Sequence, residues 1–213
     1  MRAFEWLDMA SLVLALRWTV LLSVIGILGG GTLGLIVALG RTSSGRMLRI
    51  VCLLYIRIFQ STPLLMQLFL VYFGISILGV SVDPLTAAAL ALSLNAAAFL
   101  GEIWRGCIES VPRGQDEAAQ ALALRSWQRV FLIVLPQAVR IAIPPTVVYL
   151  VQLIKNTSLA SIIGFVELTR TGQIINNATF QPFLVFSLVA LLYFVLCWPI
   201  SRYSRKLELR FAK

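Results

Sequence analysis

The sequence predicts an all-α membrane protein with about five transmembrane helices. Three observations carry this. Of 213 residues, 59% are hydrophobic and the mean hydropathy is +0.90, above the roughly half-apolar composition of soluble domains. The apolar residues fall into runs near the length of about 20 residues that crosses a hydrocarbon layer. The 18 Lys and Arg residues, against 9 Asp and Glu, gather in alternate connections between those runs.

The first run covers residues 11–39. Within it Gly26, Gly30, Gly34 and Ala38 recur every fourth position, so small residues share one face and a second helix can approach closely. The stretch Gly29-Gly30-Gly31-Thr32-Leu33-Gly34 has no Lys after it and no soluble strand before it, so it reads as packing and not as a phosphate loop. The second run, 48–78, is interrupted by Gln60-Ser61-Thr62-Pro63. The third covers 85–107, the fourth begins near 141 and reaches at least 154, and the fifth covers 183–200.

Cations orient these runs. Arg41, Arg46 and Arg49 join the first to the second. Arg113, Arg125, Arg129 and Arg140 lie between the third and fourth, and Arg202, Arg205, Lys206, Arg210 and Lys213 form the tail. The opposite connections are poor in cations: the one around Asp83 has none and 159–182 has only Arg170. Positive residues stay inside, so the N-terminus is expected outside and the C-terminus in the cytoplasm, as an odd number of spans requires. The formal net charge of +9 then marks cytoplasmic loops, not nucleic-acid binding, for which no module is present. Met1 to Asp8 lack a basic n-region and cleavage site, so no removable signal peptide is expected. Cys52, Cys107 and Cys197 have no metal spacing and read as buried thiols. With no histidine, His catalysis and His metal ligation are excluded. Nothing resembles a nucleotide site, and residues 1–213 read as one transmembrane domain.

Residues 109–140 are too polar to span and form a cytoplasmic loop. Val111-Pro112-Arg113-Gly114-Gln115-Asp116 reads as a break followed by a helix start, with Asp116 and Glu117 at the positive end of the helix dipole. Ala118, Ala119, Ala121, Leu122, Ala123 and Leu124 are strong helix formers. Ser126 is placed to cap a second short helix through Phe131 to Leu135, which Pro136 ends or redirects. Such a loop suits presentation to a soluble partner; an ordinary amphipathic surface helix would read the same.

Longer phrases separate the two. Thr62-Pro63-Leu64-Leu65-Met66-Gln67 stands upstream, then Ala91-Leu92-Ser93-Leu94-Asn95-Ala96-Ala97-Ala98 and Glu102-Ile103-Trp104-Arg105-Gly106. Ser110-Val111-Pro112-Arg113-Gly114-Gln115 opens the loop, and Glu117-Ala118-Ala119 follows. Leu135-Pro136-Gln137-Ala138 and Pro144-Pro145 close it, before Lys155-Asn156-Thr157-Ser158-Leu159 and Glu167-Leu168-Thr169-Arg170. Together they resemble, over nearly the whole chain, the membrane subunits of polar amino-acid ABC importers, the branch with histidine, glutamine and arginine permeases. The resemblance implies the transmembrane domain of an ABC type I importer, with a coupling (EAA) helix that docks the ATPase through Gln115, Glu117, Ala118, Ala119 and Ala123. It implies pairing with an identical or homologous subunit around a pseudo-twofold pore in the bacterial inner membrane. Two cytoplasmic ATP-binding subunits would hold ATP and Mg, this chain binding no cofactor and catalysing nothing, and a periplasmic amino-acid-binding protein would deliver cargo. ATP binding would favour one of two states and so drive alternation. The chain departs from the family twice. Ala123 stands where glycine is usual, which is expected to keep the helix and close off a kink. Gln60-Ser61 replaces Arg-Gly, which removes a cation from the second run.

Polar residues inside a membrane are costly and usually face a cavity or another helix. Gln60, Thr62 and Gln67 in the second run, Asn95 and Glu102 in the third, and Lys155, Asn156 and Ser158 in the fourth are the candidates for a substrate path. Lys155 and the hydroxyls are expected donors for a carboxylate; the amide oxygens, with Glu102 deeper, are expected acceptors for an ammonium. Two readings stand for Lys155, an interfacial anchor or part of an outer vestibule, and two for Arg57, which lies roughly 10 Å into its helix. The absence of acids among Gln60, Gln67, Asn95 and Asn156 favours cargo with a neutral or acidic side chain. From polar residues alone, a passive channel or exporter component remains open. A membrane assembly factor would leave Glu102, Lys155 and Glu167 without a use.

Overall fold

The computed structural model describes residues 2–43 and 45–211; Lys213 of the cationic tail lies outside them. Helix α1, Trp6–Thr42, begins where Asp8 accepts a bond from the Glu5 N–H (3.0 Å). Helices α2, Arg46–Ser61, and α3, Leu64–Ile77, meet at a 104° bend. Pro63 causes the break, since it lacks an N–H and disfavours a helical residue before it. Helix α4, Pro84–Glu109, has Pro84 in its first turn, and the Asp83 carboxylate caps the Thr86 N–H at 3.0 Å. The Thr86 hydroxyl and N–H together hold that carboxyl below the usual range. Next come α5, Arg113–Ala121; α6, Ser126–Ile163; α7, Leu168–Thr179; and α8, Pro182–Phe211. Four helices (α1, α4, α6, α8) are long and apolar enough to cross a membrane, and the bent α2–α3 pair makes a fifth.

The small-residue face of α1 lies against α4. A Cβ at Gly30 would fall 2.3 Å from that of Ala96, and one at Gly34 would meet the Leu100 Cβ at 3.1 Å. Around this seam Leu22, Leu92, Leu100 and Leu153 form the main core. A second core joins α1, α7 and α8 through Leu12, Leu168, Ile175, Val185 and Val189. All three cysteines are buried and free.

The fourth run departs most from expectation. Helix α6 starts at Ser126, not near 141, and the two halves are one helix. Pro136 does not end it: a wide turn over Arg129–Val134 loosens the hydrogen-bond ladder just before the proline and absorbs its missing N–H. Pro144 and Pro145 also lie inside, and the Ser204 hydroxyl donates to the Pro144 carbonyl at 3.2 Å. Ser126 does not cap; Arg125 occupies the cap position and its N–H donates to the Gln128 side chain at 2.8 Å. Helix α7 lies within the cation-poor connection 159–182.

Candidate functional site

The α2–α3 break frees backbone carbonyls inside the apolar bundle, and such groups must find partners there. Gln67 supplies them. Its amide N–H groups donate to the Phe59 carbonyl (2.9 Å), the Thr62 carbonyl (3.1 Å) and the Thr62 hydroxyl (2.8 Å). Its oxygen accepts from the Asn95 amide on α4 at 3.0 Å. The Tyr55 hydroxyl adds a 2.6 Å bond to the Leu94 carbonyl. The break and α4 are therefore one braced wall.

That wall bounds a cavity of about 310 Å³, near the size of a small ligand site. Phe59, Thr62, Asn95 and Phe99 face Tyr149, Gln152 and Asn156 across it. The Tyr149 ring stacks on Phe99, with centroids 5.6 Å apart. Gln152 donates to the Asn156 amide oxygen at 3.1 Å, leaving the Asn156 N–H groups and the Gln152 oxygen with no partner among the described residues. The Asn95 oxygen likewise accepts from no described donor, and the buried Tyr149 hydroxyl has no partner. Two donors and two acceptors thus remain, and no charged side chain lines the cavity.

Three of the eight path candidates, Thr62, Asn95 and Asn156, line this cavity; Gln67 braces it from behind. The others lie elsewhere. Gln60 leans on the Ala98 carbonyl at 3.4 Å, and the Ser158 hydroxyl donates to the Lys155 carbonyl at 2.7 Å. Lys155 opens on a separate cleft with Ser201, Ser204 and Arg205 of α8 and does not line the cavity that Asn156 lines. Glu102 is ion-paired to Arg105 at 2.5 Å, and Arg105 also binds Glu109, so Glu102 is no free acceptor for cargo.

In the loop, Gln115, Glu117, Ala118 and Ala123 are exposed, but Ala119 is only 3% exposed. It packs inward, so it does not offer itself to a partner as the sequence suggested. Arg129 fastens α5 to α6 through Asp116 (3.0 Å) and Gln120 (3.3 Å). Ala123 does not keep the helix. It takes a left-handed φ of 54°, the Ala123 N–H bonds Gln120 O (2.9 Å) and the Leu124 N–H bonds Ala119 O (3.2 Å). These two bonds are the usual close of a helix that ends on glycine, and they hold alanine in a conformation it disfavours.

The description binding-protein-dependent transport system inner membrane component matches residues 30–213. The chain belongs to that family. It is 38% identical over 195 residues to the probable amino-acid ABC transporter permease protein YckA of Bacillus subtilis strain 168, covering 92% of this chain and 86% of the relative. It is 34% identical over 207 residues to the glutamine transport system permease protein GlnP of Escherichia coli K12, covering 96% and 94%. Among solved structures, an amino acid ABC transporter crystallised with histidines superposes with a TM-score of 0.90 at 30% identity, covering 98% of this chain and 100% of that one. The MetNI methionine ABC transporter in an inward-facing conformation has the same fold, with a TM-score of 0.72 at 22% identity over 96% and 99% of the two chains.

The chain is thus a transmembrane permease subunit of an ABC transporter, itself not an enzyme, and the family implies an ATPase partner. Two polar cavity residues of this subunit, Tyr149 and Gln152, are not among the candidates read from the sequence. Their signal was spacing: Tyr149, Gln152 and Asn156 stand at i, i+3 and i+7, one helix face. Glu167 was noted without a place. It is fully buried at the start of α7, accepting from the Tyr193 hydroxyl (2.8 Å), the Arg170 N–H (2.9 Å) and the Thr19 hydroxyl (3.4 Å). It ties α1, α7 and α8 together, and burial pushes its pKa above the ordinary carboxylate value despite those donors.

Proposed function

We propose that this subunit carries a polar amino acid with an uncharged side chain into the cytoplasm through the cavity between α4 and α6. The single observation that carries this reading is the cavity's residual hydrogen-bonding set. Two donors, Tyr149 and Asn156, suit a carboxylate; two acceptors, Gln152 and Asn95, suit an ammonium. Thr62 adds a hydroxyl already engaged with its own backbone. Without a carboxylate in the lining, a cationic side chain would be desolvated unpaired. The amino-acid cargo of the relatives agrees with this reading.

The rest of the assembly follows from it. The subunit forms one transmembrane domain over its whole length and pairs with an identical or homologous copy. A periplasmic binding protein delivers the amino acid. ATP and Mg are held by two ATPase subunits, docked on Gln115, Glu117, Ala118 and Ala123 with the exposed Leu122 and Trp127 beside them. The orientation is N-terminus out, with Asp83 and Thr179 outside and Ser43, Ser126 and Ser204 inside.

The test is ATP-driven uptake in proteoliposomes holding the subunit with its ATPase and binding protein. Labelled glutamine is challenged with asparagine, arginine, lysine, glutamate and aspartate. Uptake that neutral amino acids compete supports the reading; competition by arginine or lysine alone overturns the charge selection, and no ATP-dependent uptake overturns the function. Single cysteines at the five topology positions, in a background lacking Cys52, Cys107 and Cys197, are probed with an impermeant maleimide. Labelling of position 126 from outside refutes the orientation.

A further inference from the structure

A larger cavity, of about 780 Å³, lies at the opposite end of α1 from the N-terminus and plays no part in the transport reading. Three helix ends bring arginines to it: Arg41 from the last turn of α1, Arg49 from the first turn of α2, and Arg113 at the start of α5. Two acids also line it, Glu109 and Asp116. Both are already engaged, Glu109 by Arg105 and Asp116 by Arg129, and neither of those arginines is in the lining. Among the described residues no carboxylate pairs with Arg41, Arg49 or Arg113. The Arg41 Nε is buried without an acceptor, and Arg49 has one bond, to the Ser43 carbonyl at 2.8 Å.

Three guanidiniums share one concavity with two carboxylates that are each engaged by another arginine, so the lining holds excess positive charge, and an anion of matching geometry relieves it. The guanidinium fork fits phosphate oxygens in pairs. The positive end of α5, whose Pro112 and Arg113 line the cavity, adds to the same field. The other walls, Leu39, Ile108 and Val134, are apolar. A site with cationic and apolar walls, between the end of one apolar helix and the start of the next, matches a lipid headgroup better than a fully hydrated ion.

We propose that this cavity binds the phosphate of an anionic phospholipid of the inner leaflet, held by Arg41, Arg49 and Arg113. The leaflet assignment rests on the orientation proposed above. The site lies beside the first turn of the docking helix, so its occupant would touch the element that receives the ATPase.

The test uses the purified complex with its ATPase in nanodiscs of phosphatidylcholine with phosphatidylglycerol, and native mass spectrometry of retained lipid. Arg41→Gln/Arg49→Gln should retain phosphatidylglycerol at least about tenfold less than wild type. Arg41→Lys/Arg49→Lys should keep most of it, which separates loss of charge from loss of fold. Arg46→Gln, an exposed arginine outside the lining, should retain it as wild type does. Retention that millimolar inorganic phosphate leaves intact supports the lipid source; displacement by inorganic phosphate supports the same anion site filled from the cytosol. Equal retention in wild type and the double glutamine variant, or an equal loss in Arg46→Gln, overturns the proposal. Amino-acid uptake by the same preparations reports separately. Uptake without selective retention overturns the lipid site alone, and selective retention without uptake overturns the transport reading alone.

Discussion

Gln67→Leu is the most informative single change in the bundle. The residue is 8% exposed, and leucine fills nearly its volume. The change strands the Thr62 carbonyl, leaves the Phe59 carbonyl only the 3.5 Å bond from the Asn95 amide, and deletes the bond from Asn95 to Gln67. A stranded buried acceptor costs about 1–3 kcal/mol. An interhelical hydrogen bond in a bilayer averages about 0.6 kcal/mol and reaches about 1.7. With about 1 kcal/mol for each carbonyl lost and the average for the interhelical bond, the loss lies between about 1.6 kcal/mol (Thr62 alone) and about 2.6 kcal/mol (both carbonyls). In water, burying leucine would offset much of this; here the unfolded reference is lipid, as apolar as leucine, so the offset is small. Reversible unfolding of the purified complex in mixed detergent measures the loss, and a double-mutant cycle with Asn95→Leu should give a coupling of about 0.6–1.7 kcal/mol. Uptake should fall as well, because the break sets the cavity wall. A Gln67→Leu variant within about 0.5 kcal/mol of wild type, with normal uptake, would refute the bracing role.

Three further outcomes are expected. Gly30→Val should prevent assembly of a monodisperse complex by size exclusion, since its Cβ would sit 2.3 Å from that of Ala96; Gly31→Val, whose nearest neighbour is Trp104 at 3.7 Å, should assemble normally. Tyr149→Phe should leave stability within about 0.5 kcal/mol but weaken amino-acid binding to the complex about five- to tenfold, the worth of one hydrogen bond; unchanged affinity would remove Tyr149 from the site. Burial raises the Glu167 pKa, so the folded state holds that proton more tightly than the unfolded chain. Its contribution to stability is therefore full below the ordinary carboxylate range and declines as pH rises through the raised pKa, and Glu167→Gln should flatten that part of the Tm–pH profile.

The spans were legible because each is a composition signal that needs no partner. The Gly26, Gly30 and Gly34 face was legible for the same reason, since a stripe of small residues has one physical use in a bundle. The helix end expected as one alternative at Pro136 is absent because a proline's effect depends on the turn before it, and nothing in Arg129 to Val134 announces a wide turn. Ala123 was misread because helix propensity favours continuation, while the observed end is set by two backbone bonds to Ala119 and Gln120. The polar residues were found, but not their duties. Gln67 and Glu102 look alike in sequence to Asn95; only three-dimensional neighbours reveal that Gln67 serves freed carbonyls and Glu102 serves Arg105.

The cavity's position follows from how its two walls are built. One wall is α2, α3 and α4, bound by Gln67 to Asn95, Tyr55 to Leu94 and Gln60 to Ala98. The other is α6, which presents Tyr149, Gln152 and Asn156 and runs unbroken back to the loop. Asn156 lies 30 residues beyond Ser126, roughly 45 Å along a helix. Arg129 bonds to Asp116 and Gln120, and Gln137 to Gln115 at 3.4 Å, so α5 travels with the start of α6. Contact between the walls is of another kind. It includes the stacked Phe99 and Tyr149 rings, which slide at little cost, and the Trp104 to Thr146 bond at 2.8 Å nearer the loop. A push on α5 is therefore passed directly to the start of α6. In the proposed assembly, where α5 receives the ATPase, a force at α5 reaches the helix whose far half lines the proposed amino-acid cavity.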